Sequence, residues 1–508
     1  MKVIFDHQTK SFICQCTFHD REFPKRAGFM WNPMTKHWET KKRSKAYFLK
    51  DYFDETAEKQ FKQNILTLNP QVIPKLKTPN GMKLKPFQID GALFALERNH
   101  SYIAFEQGLG KTPTAIAVAN ALDVPTLIIC PPFLADNWKM ELSKWSLKPP
   151  PESLEAGRKG PAIGDSEVVI IPDSLIDREA MQDFIMKKDF GLLIVDEAHR
   201  FKTLKAIRTK ALFQAIAPQI PHVVFLSGTP MPNRPMELFP VLSNLAHNEI
   251  DFLNEHDFGV KFCDAFHNGH GYDYRGASNL DELKSKMKNF MFRKTKAEVL
   301  PELEPKEIKI VKLTSVHKPA ALQKVERTLL GRHENLKKII ANKNLGEVAK
   351  YRKELGVQKL KLACQYIDEI MAETNETLLV FAWHTEILEG LQTHFKSGGD
   401  TPCALIYGDT EKAARTLIEK RFQKGKYRIL FAQIQTMVGL NLTNAERCIF
   451  VEFSWSPSDN EQAMDRAHRI GQEKSLVVEF LTLAKTLDDE ILNTLNRKTK
   501  IIKQVIEE

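Results

Sequence analysis

Short apolar runs alternate along the chain with longer stretches in which apolar residues recur every three or four positions. In the first half the runs are SYIAF (101–105), TLIIC (126–130), EVVII (167–171), LLIV (192–195) and HVVFLS (222–227). In the second they are TLLVFAW (377–383), ALIY (404–407), RILFA (428–432), CIFVEF (448–453) and LVVEFL (476–481). They are rich in Val and Ile and nearly continuously apolar, as strands are when both faces of a sheet are covered. Strands separated by helical stretches predict an α/β fold, with two lobes that are each a parallel sheet flanked by helices. Less regular pieces surround the lobes. Residues 1–75 read as a small N-terminal α+β module, 240–300 as helices and loops hung from the first lobe, and 315–372 as a Lys- and Glu-rich helical lead into the second. The expected division is therefore 1–75, 80–310 and 311–508, with PPPES at 149–153 and the following GRKG in a surface loop.

With 508 residues, 43% hydrophobic and 27% charged, the chain has room for about three domains. No apolar stretch approaches the roughly 20 residues that cross a bilayer. The opening MKVIFDHQTK lacks a secretory pattern. The expected location is the cytoplasm, at the nucleoid, or a host-cell cytoplasm for a phage-encoded chain. Seven cysteines, mostly isolated, read as reduced thiols and not as a disulfide framework. Cys14 and Cys16 have no second pair nearby that would complete a zinc site.

The formal net charge is +9, and residues 1–50 carry eleven Lys and Arg against four Asp and Glu. Such a concentrated positive field attracts phosphate polymers through counterion release. A surface tuned for solubility would show the same excess, so charge alone leaves both readings open.

The candidate chemistry sharpens the choice. GLGKT (108–112) follows the strand ending at Phe105 and precedes TPTAIAVANAL. A strand, a Gly-rich loop and a helix N-terminus aim backbone N–H groups at anionic oxygens. In that arrangement Gly108 and Gly110 shape the loop, Lys111 reaches the β and γ phosphates of ATP, and the Thr112 hydroxyl holds Mg²⁺. The full phosphate-loop pattern asks for Gly at 105, where Phe stands, and a chance Gly-rich turn is the alternative. DEAH (196–199) directly follows GLLIV, at the C-terminal edge of a buried strand, where ligands of α/β sheets bind. Asp196 there would hold the Mg²⁺ shell and Glu197 would orient and deprotonate the attacking water. Acidic residues also favour helix starts, but a phosphate loop upstream points to the functional reading.

Across roughly residues 80–485 the chain resembles the SWI/SNF-type superfamily-2 ATPases, and within them the annealing-helicase (HARP-type) branch. The motifs stand in the family's order: LKPFQ (84–88), IAFEQGLGKT, LIICPPFLADNWKMELSKW (127–145), DEAHRFK and SGTPMPNRPMELF (227–239). FGVKFCDAF and YDYRGASNLDEL (258–283) and FMFRKTKAEVLPELEPK (290–306) resemble the annealing-helicase branch in particular. GLNL (439–442) and WSPSDNEQAMDRAHRIGQ (455–472) resemble the closing signature of the second lobe. The resemblance implies two RecA-like lobes, Gln88 on the adenine base, and Gly439 and Gln462 at the nucleotide. It also implies that His199, Ser227 and Thr229 couple hydrolysis to the DNA-gripping face. Phe105 and Gln107 depart from the family's ADEMGLGKT form.

Gln462, Asp465, Arg466 and Arg469 recur at a spacing of three to four, which on a helix is one face. Two guanidiniums there suit the charge that develops on a γ-phosphate. They belong to the lobe opposite Lys111 and Glu197, so the reading ties hydrolysis to lobe closure. A salt-bridged surface helix is the plainer alternative. Ser227 and Thr229 equally fit helix caps. Trp138 and Trp145, seven residues apart, fit the core better than base stacking. The Lys-rich stretch 336–361 fits a solvated helix face more readily than a groove reader. In the N-terminal module, KRAGFMWNPMTKHWETKKR (25–43) reads as a hairpin around Asn-Pro with Phe29, Trp31 and Trp38 available. Lys25, Arg26 and Lys36 would hold phosphates while Trp31 and Trp38 stack on bases, or the tryptophans form the module's own core.

These readings point to an ATP hydrolase acting on duplex, branched DNA, with ATP and Mg²⁺ as cofactors, no membrane association, and a monomeric state. A remodeller displacing nucleosomes or RNA polymerase is the second expectation. A scaffold with a dead ATP site is the third, disfavoured by the complete set Lys111, Thr112, Asp196, Glu197, Arg466 and Arg469.

Overall fold

The computed structural model describes residues 1–57, 75–149, 152–153, 166–245, 254–313 and 345–506, apart from 7, 10, 27–28, 41–45, 47–48, 50–51, 80, 270, 398–400, 438, 470, 473 and 485. The chain forms two compact units. The first comprises Met1–Phe105, Gly110–Pro230 and Pro235–Arg293, and the second Glu106–Leu109, Met231–Arg234 and Lys294–Glu508.

The first unit opens with an antiparallel sheet of β1 (Lys2–Asp6), β2 (Ser11–Gln15), β3 (Met30–Asn32) and β4 (His37–Thr40), in the order β1-β2-β4-β3. Its small core holds Val3, Phe12, Cys14, Phe29 and Leu49. Pro33 and Lys36 flank the tip of the β3–β4 hairpin, and Asn32 Oδ1 accepts the Met34 N–H at 3.0 Å. Lys36 takes φ 53°, the left-handed conformation that closes the turn.

Next comes the larger sheet: β5 (His100–Phe105), β6 (Thr126–Cys130), β7 (Glu152–Ser153), β8 (Val168–Pro172), β9 (Leu192–Asp196) and β10 (His222–Leu226). A small hairpin of β11 (Phe266–His267) and β12 (Tyr272–Asp273) follows, and β13 (Met291–Lys294) returns to the large sheet. The sheet order is β13-β5-β10-β9-β6-β8-β7. Every residue of β6, β9 and β10 is buried, so the sequence's continuous apolar runs match strands covered on both faces. The parallel register sets Leu226 opposite both Ile103 and Asp196, so β9 and β10 end in one row and β5 runs two residues further, to Phe105. Residues 240–300 are thus more than helices and loops, because FMFRK supplies the sheet's edge strand.

The second unit's sheet contains β14 (Glu307–Leu313), β15 (Leu378–Ala382), β16 (Cys403–Ile406), β17 (Ile429–Gln433), β18 (Arg447–Phe450) and β19 (Val477–Leu483). Its order is β14-β19-β18-β15-β17-β16 and its pairings are parallel. Its core is one cluster centred on β15, β17 and β18. The second unit begins at Lys294, ahead of the expected break at 310, because β14 pairs along its whole length with β19. The helical lead appears as Leu345–Glu373; residues 314–344, including part of the Lys-rich stretch 336–361, lie outside the described residues. Both units are therefore parallel sheets flanked by helices, the RecA-like architecture.

Candidate functional site

The strand, Gly-rich turn and helix form where the pattern placed them. Lys111 and Thr112 open the helix Lys111–Leu122, and Gly108 and Gly110 take φ 85° and 82°, conformations costly for any residue with a Cβ. A Cβ at Gly110 would also collide with Nε2 of Gln88. Gln88 is buried, and its Oε1 accepts the Lys85 N–H at 2.9 Å, capping the helix Pro86–Leu96. The segment expected to read adenine is thereby held against the loop's last glycine. Lys111 Nζ donates to the Phe105 carbonyl at 3.1 Å, at the end of β5.

Asp196 ends β9, and Glu197 follows at φ 49°, a left-handed conformation that is strained for a side-chain-bearing residue. Both carboxylates are buried. Burial first, and then the neighbouring charge of Glu197, push the Asp196 carboxyl up to about 6, against the pull of Trp138 and Lys111. Trp138 Nε1 donates to Asp196 Oδ2 at 2.8 Å, and the Glu197 N–H donates to Asp196 Oδ1 at 2.9 Å. Trp138 is fully buried, as expected of a core residue, and is also the donor that orients the aspartate. The seven-residue spacing of Trp138 and Trp145 carries no sign of this second role. The available hint is that a buried indole N–H demands an acceptor.

His199 lies in the turn after Glu197, with its Nδ1 2.9 Å from Ser227 Oγ and 3.2 Å from Glu197 Oε2. Ser227 follows β10, and its Oγ accepts the Thr229 N–H at 3.1 Å. Neither Ser227 nor Thr229 starts a helix, since the next helical turn begins at Pro235. The helix-cap alternative is thus set aside. The structure gathers Gln88, Gly110, Lys111, Thr112, Asp196, Glu197, His199, Ser227 and Thr229 within the first unit.

In the second unit the arginine segment departs from the expected single helical face. The helix Pro457–Met464 contains Gln462 but stops before Asp465, and Arg466 and Arg469 lie in turns beyond it. The backbone tightens there, with Arg466 N donating to Ala463 O at 3.3 Å and Ala467 N to Met464 O at 3.0 Å. Asp465 turns to a buried ion pair with Lys296 Nζ at 2.7 Å and lies 3.5 Å from Lys306 Nζ. Burial alone would raise its carboxyl, but Lys306 and Lys296 outweigh that and hold it below the usual range. Lys306 also pairs with Glu461 at 2.6 Å, and His468 Nε2 sits 2.9 Å from the Glu304 carbonyl. The loop of Gly439, at φ 90°, joins this segment through a Leu442 N–H bond to the Arg466 carbonyl at 2.9 Å.

In the N-terminal module Phe29 is buried, whereas Trp31 is 51% exposed and meets Trp38 edge-on across the hairpin at 5.6 Å. Trp38 packs against the module's core. The two alternatives thus divide between the residues: Trp38 is partly core, and Trp31 faces out beside exposed Met30 and Met34. Lys25 and Lys36 are exposed, and the side chain of Arg26 lies outside the described residues.

The SNF2-related domain model matches residues 87–353, and the helicase conserved C-terminal domain model matches 358–471. A DNA annealing helicase and endonuclease, ZRANB3, from Mus musculus is 32% identical over 448 residues, covering 84% of this chain and 41% of its own length. A SWI/SNF-related matrix-associated actin-dependent regulator of chromatin subfamily A-like protein 1 from Drosophila melanogaster is 31% identical over 433 residues, 83% of this chain and 56% of its own. The chain thus spans about half the length of these relatives. The SWI2/SNF2 ATPase core of Sulfolobus solfataricus in complex with dsDNA is similar at 22% identity and a TM-score of 0.42, covering 85% of this chain and 99% of that one. The first model alone matches more than half of the chain, which therefore belongs to the SNF2-related family of superfamily-2 helicase-type ATPases, near its annealing-helicase branch.

Proposed function

We propose that the chain is a DNA-stimulated ATPase that translocates on duplex DNA and remodels branched structures by fork regression, branch migration or strand annealing. The observation that carries this reading is the meeting of Lys111, Asp196 and Glu197 at one sheet edge, with Glu197 linked through His199 to Ser227. An aspartate held up to about 6 by burial and a second carboxylate suits a bound divalent cation, whose charge would keep it ionised. Asp196 and Thr112 would hold Mg²⁺ on the ATP phosphates, a cation that takes few protein ligands beside phosphate oxygens. Lys111 and the loop glycines cradle the phosphates, and Gln88 reads the base. Glu197 positions and deprotonates water, while Arg466 and Arg469, with Gln462 and Gly439, are assigned to the charge on the phosphates. Ser227 and Thr229 then pass the state of Glu197 and His199 to the DNA-facing side.

Branched DNA as substrate is supported by the basic, aromatic N-terminal module with Trp31 outward, and by the relative named an annealing helicase. A second reading, displacement of DNA-bound proteins, is favoured by the relative named a regulator of chromatin. The test is ATP turnover without DNA, with single strand, with linear duplex and with a synthetic fork or junction, at fixed salt. Greater stimulation by fork or junction than by duplex supports the branched-DNA role. Equal stimulation by any duplex moves the reading to protein displacement, and no stimulation by any DNA removes the motor.

A further inference from the structure

Arg293 stands near the end of β13, in a segment to which neither the phosphate loop nor the DEAH turn gives a role. Its Nη1 donates to two carbonyls, Ala104 at 2.7 Å and Gly228 at 2.9 Å. Ala104 precedes Phe105, whose own carbonyl receives Lys111 Nζ at 3.1 Å. Gly228 lies between Ser227, which contacts His199, and Thr229, whose N–H donates to Ser227 Oγ. One guanidinium therefore ties the strand that delivers the phosphate loop to the turn that receives the His199 contact. From the other side, the wholly buried Tyr102 of β5 places its hydroxyl beside Ser227, within the electrostatic reach of Glu197 and Arg293. Register explains the meeting, since Tyr102 pairs with Phe225 and Ile103 with Leu226, bringing both strand ends to Arg293. An arginine suits this role because its planar fork stays charged and fixes direction as well as distance, which an ammonium does not.

We infer that Arg293 is a positioning residue for coupling, holding the Ser227–Thr229 turn against the approach to the phosphate loop so that the Glu197–His199–Ser227 contact reports the nucleotide state. This rests on the proposed ATPase and on the coupling role of Ser227. Both bonds end on backbone carbonyls, those of Ala104 and Gly228, so their loss is expected to act on transmission more than on nucleotide binding.

The test compares wild type, Arg293→Met and Arg293→Lys as full chains. It measures affinity for methylanthraniloyl-ATP, DNA-free turnover, DNA-saturated turnover and the DNA concentration for half-stimulation. Arg293→Met is expected to keep nucleotide affinity and DNA-free turnover within about threefold while losing about tenfold or more of DNA stimulation at an unchanged half-point. Arg293→Lys, which keeps the charge without the fork, is expected to lose about threefold. Equal loss in both turnovers, or a wild-type stimulation ratio, overturns the inference. Should Arg293→Met melt below the assay temperature, Arg293→Lys decides, and a wild-type ratio there overturns it. Wild-type turnover and Glu197→Gln separate the two levels: if wild type does not hydrolyse ATP the ATPase reading fails, and if Glu197→Gln hydrolyses it normally the assignment of Glu197 fails, whereas if Glu197→Gln is inert and Arg293→Met retains its ratio, only this inference fails.

Discussion

Two buried aspartates, one in each unit, present opposite electrostatics. Asp196 in the first unit has another carboxylate beside it and an indole and a backbone N–H as donors, and its carboxyl is pushed up to about 6. Asp465 in the second unit sits against Lys296 at 2.7 Å and Lys306 at 3.5 Å, and its carboxyl is held down. Burial costs both of them solvation. The second is compensated within the protein and acts as scaffold for the arginine segment. The first is compensated less, because Glu197 raises its carboxyl more than Lys111 lowers it, an arrangement that would suit the cation proposed above. A buried acid thus reads as structural or functional according to whether its neighbours already neutralise it.

The contrast breaks most sharply by substitution. Asp196→Asn, like Lys111→Ala and Glu197→Gln, is expected to lower DNA-stimulated ATP turnover by about a thousandfold with DNA binding retained. The same Asp196→Asn should raise the melting temperature of the nucleotide-free protein by a few degrees, because it removes a poorly compensated buried charge. Calorimetry showing a large loss of stability instead would place Asp196 with the scaffold. Asp465→Asn is expected to do the reverse. It removes the carboxylate 2.7 Å from buried Lys296, leaving Glu106 at 3.8 Å as a weaker partner, and should cost about 3 kcal/mol of stability by denaturant unfolding, with nucleotide affinity changed far less.

A third buried acid sharpens the rule. Glu452 accepts His384 Nδ1 at 2.8 Å and the N–H groups of Trp383 and His384 at 3.0 and 2.9 Å. Burial would raise its carboxyl, but the His384 bonds prevail and hold it below its usual range. Its folded value is lower than the unfolded value near 4.3, so its stabilisation is full above about pH 4.3 and is lost as pH falls through the folded value. Glu452→Gln should therefore cost about 2 kcal/mol at pH 7, with the difference from wild type shrinking below about pH 4. A pH-independent difference would show that packing, not charge, is what Glu452 supplies. A smaller effect is expected of Trp138→Phe, which removes one bond to Asp196 and should lower turnover about fivefold with the fold intact.

Much of the fold was legible because covered parallel strands write themselves as apolar runs, and all ten expected runs became strands. β13 and β14 escaped because edge strands alternate with exposed and charged residues: β14 is mostly exposed along EIKIVKL. The single helical face expected of the arginine segment did not form. Spacing in QAMDRAHR fits a helix, but Asp465 finds stronger partners in Lys296 and Lys306, far away in sequence, and the helix stops at Met464.

By itself the sequence determined the two covered sheets, the Gly-rich turn that a helix N-terminus requires, and the acidic pair at a strand's end. Each depends on neighbours within a few residues, where periodicity, glycine's conformational freedom and residue type carry the information. Only the tertiary structure decided that Trp138 would orient Asp196, that Arg293 would bind Ala104 and Gly228 together, and that Asp465 would face two lysines. Those partners are separated by tens to hundreds of positions. Which buried polar group satisfies which is settled by the packing of strands and turns, a condition that no local pattern encodes.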